Sequence, residues 1–257
     1  MKHYALIGQK LGHSYSKVIH EYLFNNNGID ADYALIEVEE ENIKDIIEML
    51  RDGRLDGINV TIPYKEKIIP YLDCLDENAK SIGACNTVKV ENGKLIGYNT
   101  DYLGFIQGLK YQGIKVVRKK VFVLGSGGAS KAVCHALRLL KANPIVVSRK
   151  GPFDYNMLAK RRHNSIIVNT TPVGMWPRVN ERPLSKDVIN KTDIIVDIIF
   201  NPRQTLLLET KGQNNNGLPM LIYQAAKSEE IWLGQNIEFI FEALRGVLEN
   251  EWFRKTF

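Results

Sequence analysis

The sequence predicts an α/β chain of two domains, and three observations carry the prediction. Short apolar runs alternate with stretches of helical period along most of its 257 residues, the signature of repeated βα units. The run Val121-Phe122-Val123-Leu124 shows no polar alternation, as a strand buried on both faces requires. A glycine-rich turn follows that run and opens a helical pattern, which is how doubly wound sheets are built.

The first hundred residues open on a short strand, Tyr4-Ala5-Leu6-Ile7, ended by Gly8. Residues 16–25 read as a helix with Ile19, Leu23 and Phe24 on one side, three or four positions apart. Residues 32–38 alternate like a strand. Residues 39–51 form an amphipathic helix, because Ile43, Ile46, Ile47 and Leu50 recur at helical spacing. Residues 55–60 are a second buried strand. Residues 87–90 and 95–96 predict a hairpin turning at Asn92-Gly93. The alternation argues for a largely parallel sheet in this half.

A second unit begins near Lys119. After the strand 121–124, a helix over 128–141 presents Ala132, Val133, Ala136, Leu137 and Leu140 on one face. Ile145-Val146-Val147, Ile166-Ile167-Val168 and Ile194-Ile195-Val196 are further strands, giving a doubly wound βα series. Residues 223–233 and 238–248 return to helix. The chain holds no internal repeat and no low-complexity tract.

Composition narrows the class. At 29.2 kDa, 44% apolar and 25% charged, the chain is of ordinary globular make-up, which argues against disorder. A net charge of +5 permits an anionic ligand and points to neither a nucleic-acid arm nor a membrane partner. No apolar stretch reaches the roughly 18 residues of a membrane span, and the start lacks the apolar stretch of a signal peptide. Cys74, Cys85 and Cys134 are odd in number and far apart, so neither a disulfide framework nor a zinc ribbon is expected. A soluble cytoplasmic protein follows as the expectation. Whether it is a monomer or a homodimer stays open.

The turn Gly125-Ser126-Gly127-Gly128-Ala129-Ser130 lies between a buried strand and a helix. There, glycines let backbone approach a pyrophosphate, and the helix N-terminus offers unpaired N–H groups. Ser130 stands where the dinucleotide fingerprint takes Gly or Ala, and a plain tight turn is the alternative. About 20 residues on, where an acidic side chain would hold an NAD ribose, the chain reads Val147-Ser148-Arg149-Lys150. A guanidinium there suits a 2′-phosphate, so NADP is the expected cofactor. The alternative is an ordinary charged strand end.

The remaining polar clusters fall in the first unit: Ser14-x-Ser16, Asn59-Val60-Thr61-x-Pro63-x-Lys65, Gly83-Ala84-Cys85-Asn86-Thr87 and Gly97-Tyr98-Asn99-Thr100-Asp101. Strand C-termini are where open α/β sheets bind ligands. Singly, each has a plain reading: the serines as helix N-caps, Lys65 as a solvated lysine, Asp101 as an N-cap. Among His3, His13, His20, His135 and His163 there is no His-x-x-x-His pair, so no metal site is expected. There is also no Gly-x-Ser-x-Gly elbow. His13 reads as a structural residue.

Taken in order, these motifs resemble the shikimate dehydrogenase family over nearly the whole chain. The resemblance rests on His13-Ser14-Tyr15-Ser16, on Asn59 to Lys65, on Gly83 to Val88 and on Gly97 to Gly104. It continues through the turn 125–129, Asn169 to Met175, Asn201-Pro202-x-x-Thr205 and Met220-Leu221-x-x-Gln224. It implies reversible reduction of 3-dehydroshikimate to shikimate by NADPH, in aromatic amino-acid biosynthesis by way of chorismate. It implies a substrate domain over 1–103, a Rossmann-like NADP domain over 104–220, and helices over 221–257 that return to the substrate domain, with the active site in the cleft.

By the same resemblance Lys65 and Asp101 form the catalytic pair, and Ser14, Ser16, Thr61, Asn86 and Gln224 hold the small-molecule substrate. Gly125, Ser126, Gly127, Gly128, Ala129, Ser148, Arg149, Lys150, Thr170, Met175, Phe200 and Gly217 bind the cofactor. The chemistry agrees with the pair. Hydride delivery to a ketone leaves negative charge on oxygen, which an ammonium stabilises and protonates. Free lysine titrates at about 10.4; desolvation lowers that value and a neighbouring carboxylate raises it.

Some positions depart from the family pattern. Lys10 and Lys17 stand where prolines are usual. Phe200 replaces a tyrosine whose hydroxyl lies near the substrate, a loss of about 0.5–1.5 kcal/mol if that hydrogen bond is missing. Between Arg149 and Ile166 lie only residues 150–165, 16 in number, room for one crossover helix and no added strand. A trimmed cofactor sheet of fewer than six strands, with a more open adenine side, is therefore expected. Two other readings are a quinate/shikimate dehydrogenase relative using NAD, against which Arg149 argues, and a catalytically weak cofactor-binding regulator, against which Lys65 and Asp101 argue.

Overall fold

The computed structural model describes residues 1–12, 14–160, 164–210 and 212–256. The chain divides into two compact units, Met1–Thr100 with Gln224–Phe257, and Asp101–Tyr223. The first hundred residues carry β1 (Lys2–Gly8), α1 (Ser16–Asn26), β2 (Ala31–Glu37), α2 (Ile43–Arg51), β3 (Gly57–Val60), β4 (Cys74–Leu75), α3 (Glu77–Ile82), β5 (Thr87–Glu91) and β6 (Lys94–Tyr98). The second unit carries α4 (Asp101–Tyr111), β7 (Lys120–Leu124), α5 (Gly128–Leu139), β8 (Asn143–Val147), α6 (Tyr155–Ala159), β9 (Ile166–Asn169), β10 (Ile194–Asp197) and β11 (Gln213–Asn215). Helix α7 (Leu218–Leu233) passes from the second unit back to the first, where α8 (Phe241–Thr256) ends the described chain. Among the described residues no helix is long and apolar enough to cross a membrane.

In the first unit six strands pair in the order β2-β1-β3-β5-β6-β4. β1 is parallel to β2 and β3, but β5 is antiparallel to both β3 and β6. The sheet is largely parallel, as expected, with β5 alone among the described strands running against the others. The hairpin is the reason. Asn92 and Gly93 take φ of 52° and 73°, and strands joined by so tight a turn must run antiparallel.

Side chains of β1 alternate between two cores. Ala5 and Ile7 pack with Ile43, Ile46, Ile47 and Leu50 of α2. Tyr4 and Leu6 pack with Phe24 of α1, Tyr33 of β2 and Trp232 of α7. A strand so placed has no polar face to spare. The stretch 39–51 is not one helix. Glu40–Asn42 makes a 3-10 turn ahead of α2, a common lead-in at helix N-termini.

In the second unit five strands run parallel in the order β11-β10-β9-β7-β8. Among the described residues of the crossover over 150–165 there is one helix, the five-residue α6. The sheet of the described residues has five strands, fewer than six as that spacing predicts. Phe122 and Leu124 of β7 share a core with Val147, Leu158, Ile167 and Ile195. α5 ends at Leu139, two residues earlier than its pattern suggests, because Lys141 enters the left-handed region at φ 58°. His13 and His163 lie outside the described residues, and with them the structural role read for His13.

Candidate active site

The candidate residues of the first unit sit where its strands end. Ser14 Oγ accepts the Ser16 N–H at 3.2 Å, satisfying one donor of the first turn of α1. The cap position itself is Tyr15, without a side-chain bond, so neither serine is the N-cap. Thr61 follows β3, and its N–H donates to Ile7 O at 3.0 Å. Thr61 lies so close to Gly8 that a Cβ on Gly8 would meet its methyl group at 2.7 Å. The half-buried Lys65 comes four residues later, its carbonyl accepting the Cys85 N–H at 2.7 Å. The Cys85 thiol is pushed up to about 12 by burial, which leaves it inert beside that lysine.

Asn86 and Gln224, 138 positions apart in sequence, are brought together. Asn86 Nδ2 donates to Gln224 Oε1 at 3.3 Å and to Thr100 Oγ1 at 2.9 Å, while Asn86 Oδ1 accepts the Thr100 N–H at 2.6 Å. That pairing orients both amides. Behind them Asn59 Nδ2 bonds Thr87 Oγ1 and Ser228 Oγ, and Asn59 Oδ1 accepts from Tyr33 at 2.7 Å. Sequence reasoning grouped Asn59 with its motif and missed Tyr33 and Ser228. A polar residue in a buried strand signals such a network, because its amide must find partners. Ser228 lies one helical turn beyond Gln224, hence on the same face of α7.

A second buried pair lies next to this network. His20 Nδ1 and Glu229 Oε1 approach to 2.7 Å, both side chains fully enclosed. Burial lowers the imidazole to about 3 and raises the carboxyl to about 9. Burial thus works against the charged form of each group, and the pair is joined by this one short hydrogen bond. The His20 ring stacks on Tyr33 at 4.1 Å.

In the second unit the glycine turn has the shape an anion needs. Gly125 takes φ of 107°, and a Cβ there would meet Thr170 Oγ1 at 2.9 Å. Gly127 is the N-cap of α5, with no side-chain cap and no acidic residue in the first turn, and a Cβ there would meet nothing within 4 Å. The start of α5 is thus left without a side-chain cap, as an anion-binding helix N-terminus requires. Ser130 Oγ donates to Gly125 O at 2.7 Å, so the residue that departs from the fingerprint closes the turn. Gly125 N–H donates to Val147 O and Thr170 N–H to Leu124 O, which aligns the ends of β7, β8 and β9.

Arg149 and Lys150 are exposed just beyond β8, with Ser148 before them and no carboxylate at that strand end. This donor set fits a phosphate-bearing dinucleotide, and the cations fit one carrying a 2′-phosphate. Met175 is 37% exposed and Phe200 half-buried. Gly217 packs against the chain after β10, where a Cβ would stand 2.0 Å from Ile198 O. Asp101, buried, is the first residue of α4 and not its cap, a position where the helix dipole favours an anion. Lys65 belongs to the first unit and Asp101 to the second.

Comparison with known proteins follows the same lines. Residues 6–88 match the family model described as the shikimate dehydrogenase substrate binding domain. The chain is 40% identical to the shikimate dehydrogenase (NADP(+)) of Clostridium beijerinckii, over 98% of this chain and 99% of that one. The crystal structure of a chorismate mutase/shikimate 5-dehydrogenase fusion protein from Clostridium acetobutylicum superposes with a TM-score of 0.91 at 38% identity, covering 98% of each chain. Shikimate 5-dehydrogenase from Thermus thermophilus, solved in complex with NADP(H) and shikimate, gives a TM-score of 0.85 at 28% identity, over 97% of this chain and 99% of that one.

Proposed function

The chain belongs to the shikimate dehydrogenase family, and we propose on that footing that it reversibly reduces 3-dehydroshikimate to shikimate with NADPH, a step of chorismate and aromatic amino-acid biosynthesis. The observation that carries the cofactor preference is the end of β8. Arg149 and Lys150 stand where an acidic residue would select NAD.

The second unit serves as the cofactor domain and the first, with the helices after Gln224, as the substrate domain. The N–H groups of Gly128 and Ala129, at the open end of α5, take the pyrophosphate. Ser148, Arg149 and Lys150 take the 2′-phosphate, and Thr170, Met175, Phe200 and Gly217 line the rest of the dinucleotide. NADPH, when bound, supplies the hydride.

The chain's own residues do the remaining work. Ser14 and Ser16 donate hydroxyls to the substrate carboxylate. Thr61, Asn86 and Gln224 read its ring hydroxyls, the two amides being held in register by their mutual hydrogen bond. Lys65 Nζ stabilises the oxygen that gains negative charge and delivers a proton to it. In the reverse direction Lys65 takes that proton back, and the family resemblance assigns Asp101 as the second member of the catalytic pair. The enzyme acts in the cytoplasm, as a monomer or homodimer. Its three free cysteines suit a reducing compartment.

The test is loss of reduced-nicotinamide absorbance with 3-dehydroshikimate, run with NADPH and NADH side by side. Oxidation favouring NADPH is expected. Equal rates would remove the role given to Arg149. No oxidation by folded protein would overturn the activity and favour a cofactor-binding regulator.

A further inference from the structure

The end of β10 holds a buried carboxylate that no step above uses. Asp197 is fully buried and accepts three hydrogen bonds. Its Oδ1 takes Asn169 Nδ2 at 3.0 Å and the Ile199 N–H at 3.1 Å, and its Oδ2 takes Thr205 Oγ1 at 2.7 Å. Each donor belongs to a segment that carries a proposed cofactor residue, or leads into one.

Asn169 ends β9, and its Oδ1 accepts both the N–H and the hydroxyl of Thr171, at 3.0 and 2.7 Å. Asn169 therefore shapes the loop from Thr170 to Met175. Ile199 precedes Phe200, and its carbonyl accepts the Gly217 N–H at 3.1 Å. Thr205 closes the loop after Phe200, 3.6 Å from where a Cβ on Gly174 would stand. The two loops also meet directly, Trp176 N–H donating to Asn201 O at 3.2 Å. One side chain thus ties together the segments bearing Thr170, Met175, Phe200 and Gly217.

We propose that Asp197 is a positioning residue for the cofactor, holding the loops 170–175 and 199–205 and the Gly217 backbone in the arrangement that receives the dinucleotide. The assignment rests on the NADP-dependent function proposed above. A carboxylate suits the task because its two oxygens accept several donors at once, which no neutral side chain of that size does. Keeping it there is costly. Burial raises it to about 6 although three donors pull it down, so the site retains a charge that a purely apolar packing would avoid.

The test compares Asp197→Ala, Asp197→Asn and Asn169→Ala in the full chain. NADPH affinity is read from the fluorescence of the bound dinucleotide without substrate, and the Michaelis constant for shikimate and the thermal midpoint are read beside it. Asp197→Ala strands three donors, and NADPH binding should weaken about 10- to 100-fold, the loss expected when hydrogen bonds to a charged group disappear. The shikimate Michaelis constant should stay within about twofold, because Ser14, Ser16, Thr61, Asn86 and Gln224 belong to the other unit. Asp197→Asn keeps an oxygen for Asn169 and Ile199 and offers Thr205 a donor in place of an acceptor, so affinity should recover to within about threefold.

Asn169→Ala cuts the tie to the 170–175 loop while leaving the carboxylate. It should reproduce most of the weakening, and it decides the matter should Asp197→Ala fail to fold. Unchanged NADPH affinity in the folded variants overturns the proposal, as does an equal rise in both constants. If the unmodified chain binds no NADPH, the functional reading falls first, and that outcome is distinct from the other two.

Discussion

Buried titratable side chains give this protein a pH-dependent stability, and Glu229 acts over the widest range. Glu229 is raised from 4.5 to about 9 by burial. Between those values the folded chain keeps a proton that the unfolded chain has released, so stability is lost as pH rises. His20 is lowered from 6.5 to about 3, and its share of stability is lost as pH falls through that window. We expect the thermal midpoint of the unmodified chain to fall relative to Glu229→Gln as pH climbs from about 5 to about 9; parallel curves would refute the raised carboxyl of Glu229. Lys65→Ala, which removes the proton donor, should lower kcat by about 10²- to 10⁴-fold with NADPH affinity unchanged, measured by turnover and by dinucleotide fluorescence. Phe200→Tyr should lower the shikimate Michaelis constant by a few-fold, the worth of about one hydrogen bond. No change would mean that position 200 does not reach the substrate.

At the scale of elements, close approach decides which residues are tolerated. Gly57 in β3 leaves room for the indole of Trp232 on α7, whose Nε1 donates to Val88 O at 2.9 Å. A Cβ on Gly57 would meet that nitrogen at 2.5 Å and Val88 O at 2.9 Å. Gly57→Ala should therefore cost about 1–3 kcal/mol by forcing the helix off the sheet, measured by urea unfolding; a neutral result would mean that α7 shifts freely. Elements that sequence reading passed over share a local cause. β11 is the polar triplet Gln213-Asn214-Asn215 at a sheet edge, with none of the apolar period that marks a strand. α4 contains Gly104 and Gly108, poor helix formers. Gly108 is there because Met220 N passes 3.3 Å from its would-be Cβ.

Across the whole molecule, charge is segregated. The unit Asp101–Tyr223 carries 19 Lys and Arg against 7 Asp and Glu, a net +12; the rest carries 15 against 22, a net −7. A total of +5 hides this, which is why the excess reads as mild from composition. A basic unit draws in a polyanionic dinucleotide from a distance, an effect that salt screens. Raising salt from about 50 to about 500 mM should weaken NADPH binding several-fold and change the shikimate Michaelis constant much less. Salt-independent NADPH binding would show that local hydrogen bonds dominate.

From the chain alone came what depends on near neighbours. Period marks β7, α2 and the helical face of α5, and Asn92-Gly93 marks the hairpin, because these follow from backbone geometry over a few residues. The order of motifs points to the family, and Arg149 in place of an acid points to the cofactor, because charge at a strand end acts on the ligand beside it. Tertiary structure alone decided the rest. It fixed the strand orders β2-β1-β3-β5-β6-β4 and β11-β10-β9-β7-β8. It set Asn86 against Gln224, His20 against Glu229, 209 residues apart, and Asp197 between two loops. Such pairings exist because packing excludes water and leaves each polar atom to find its partner in space, and nothing in a local stretch of chain records which partner that is.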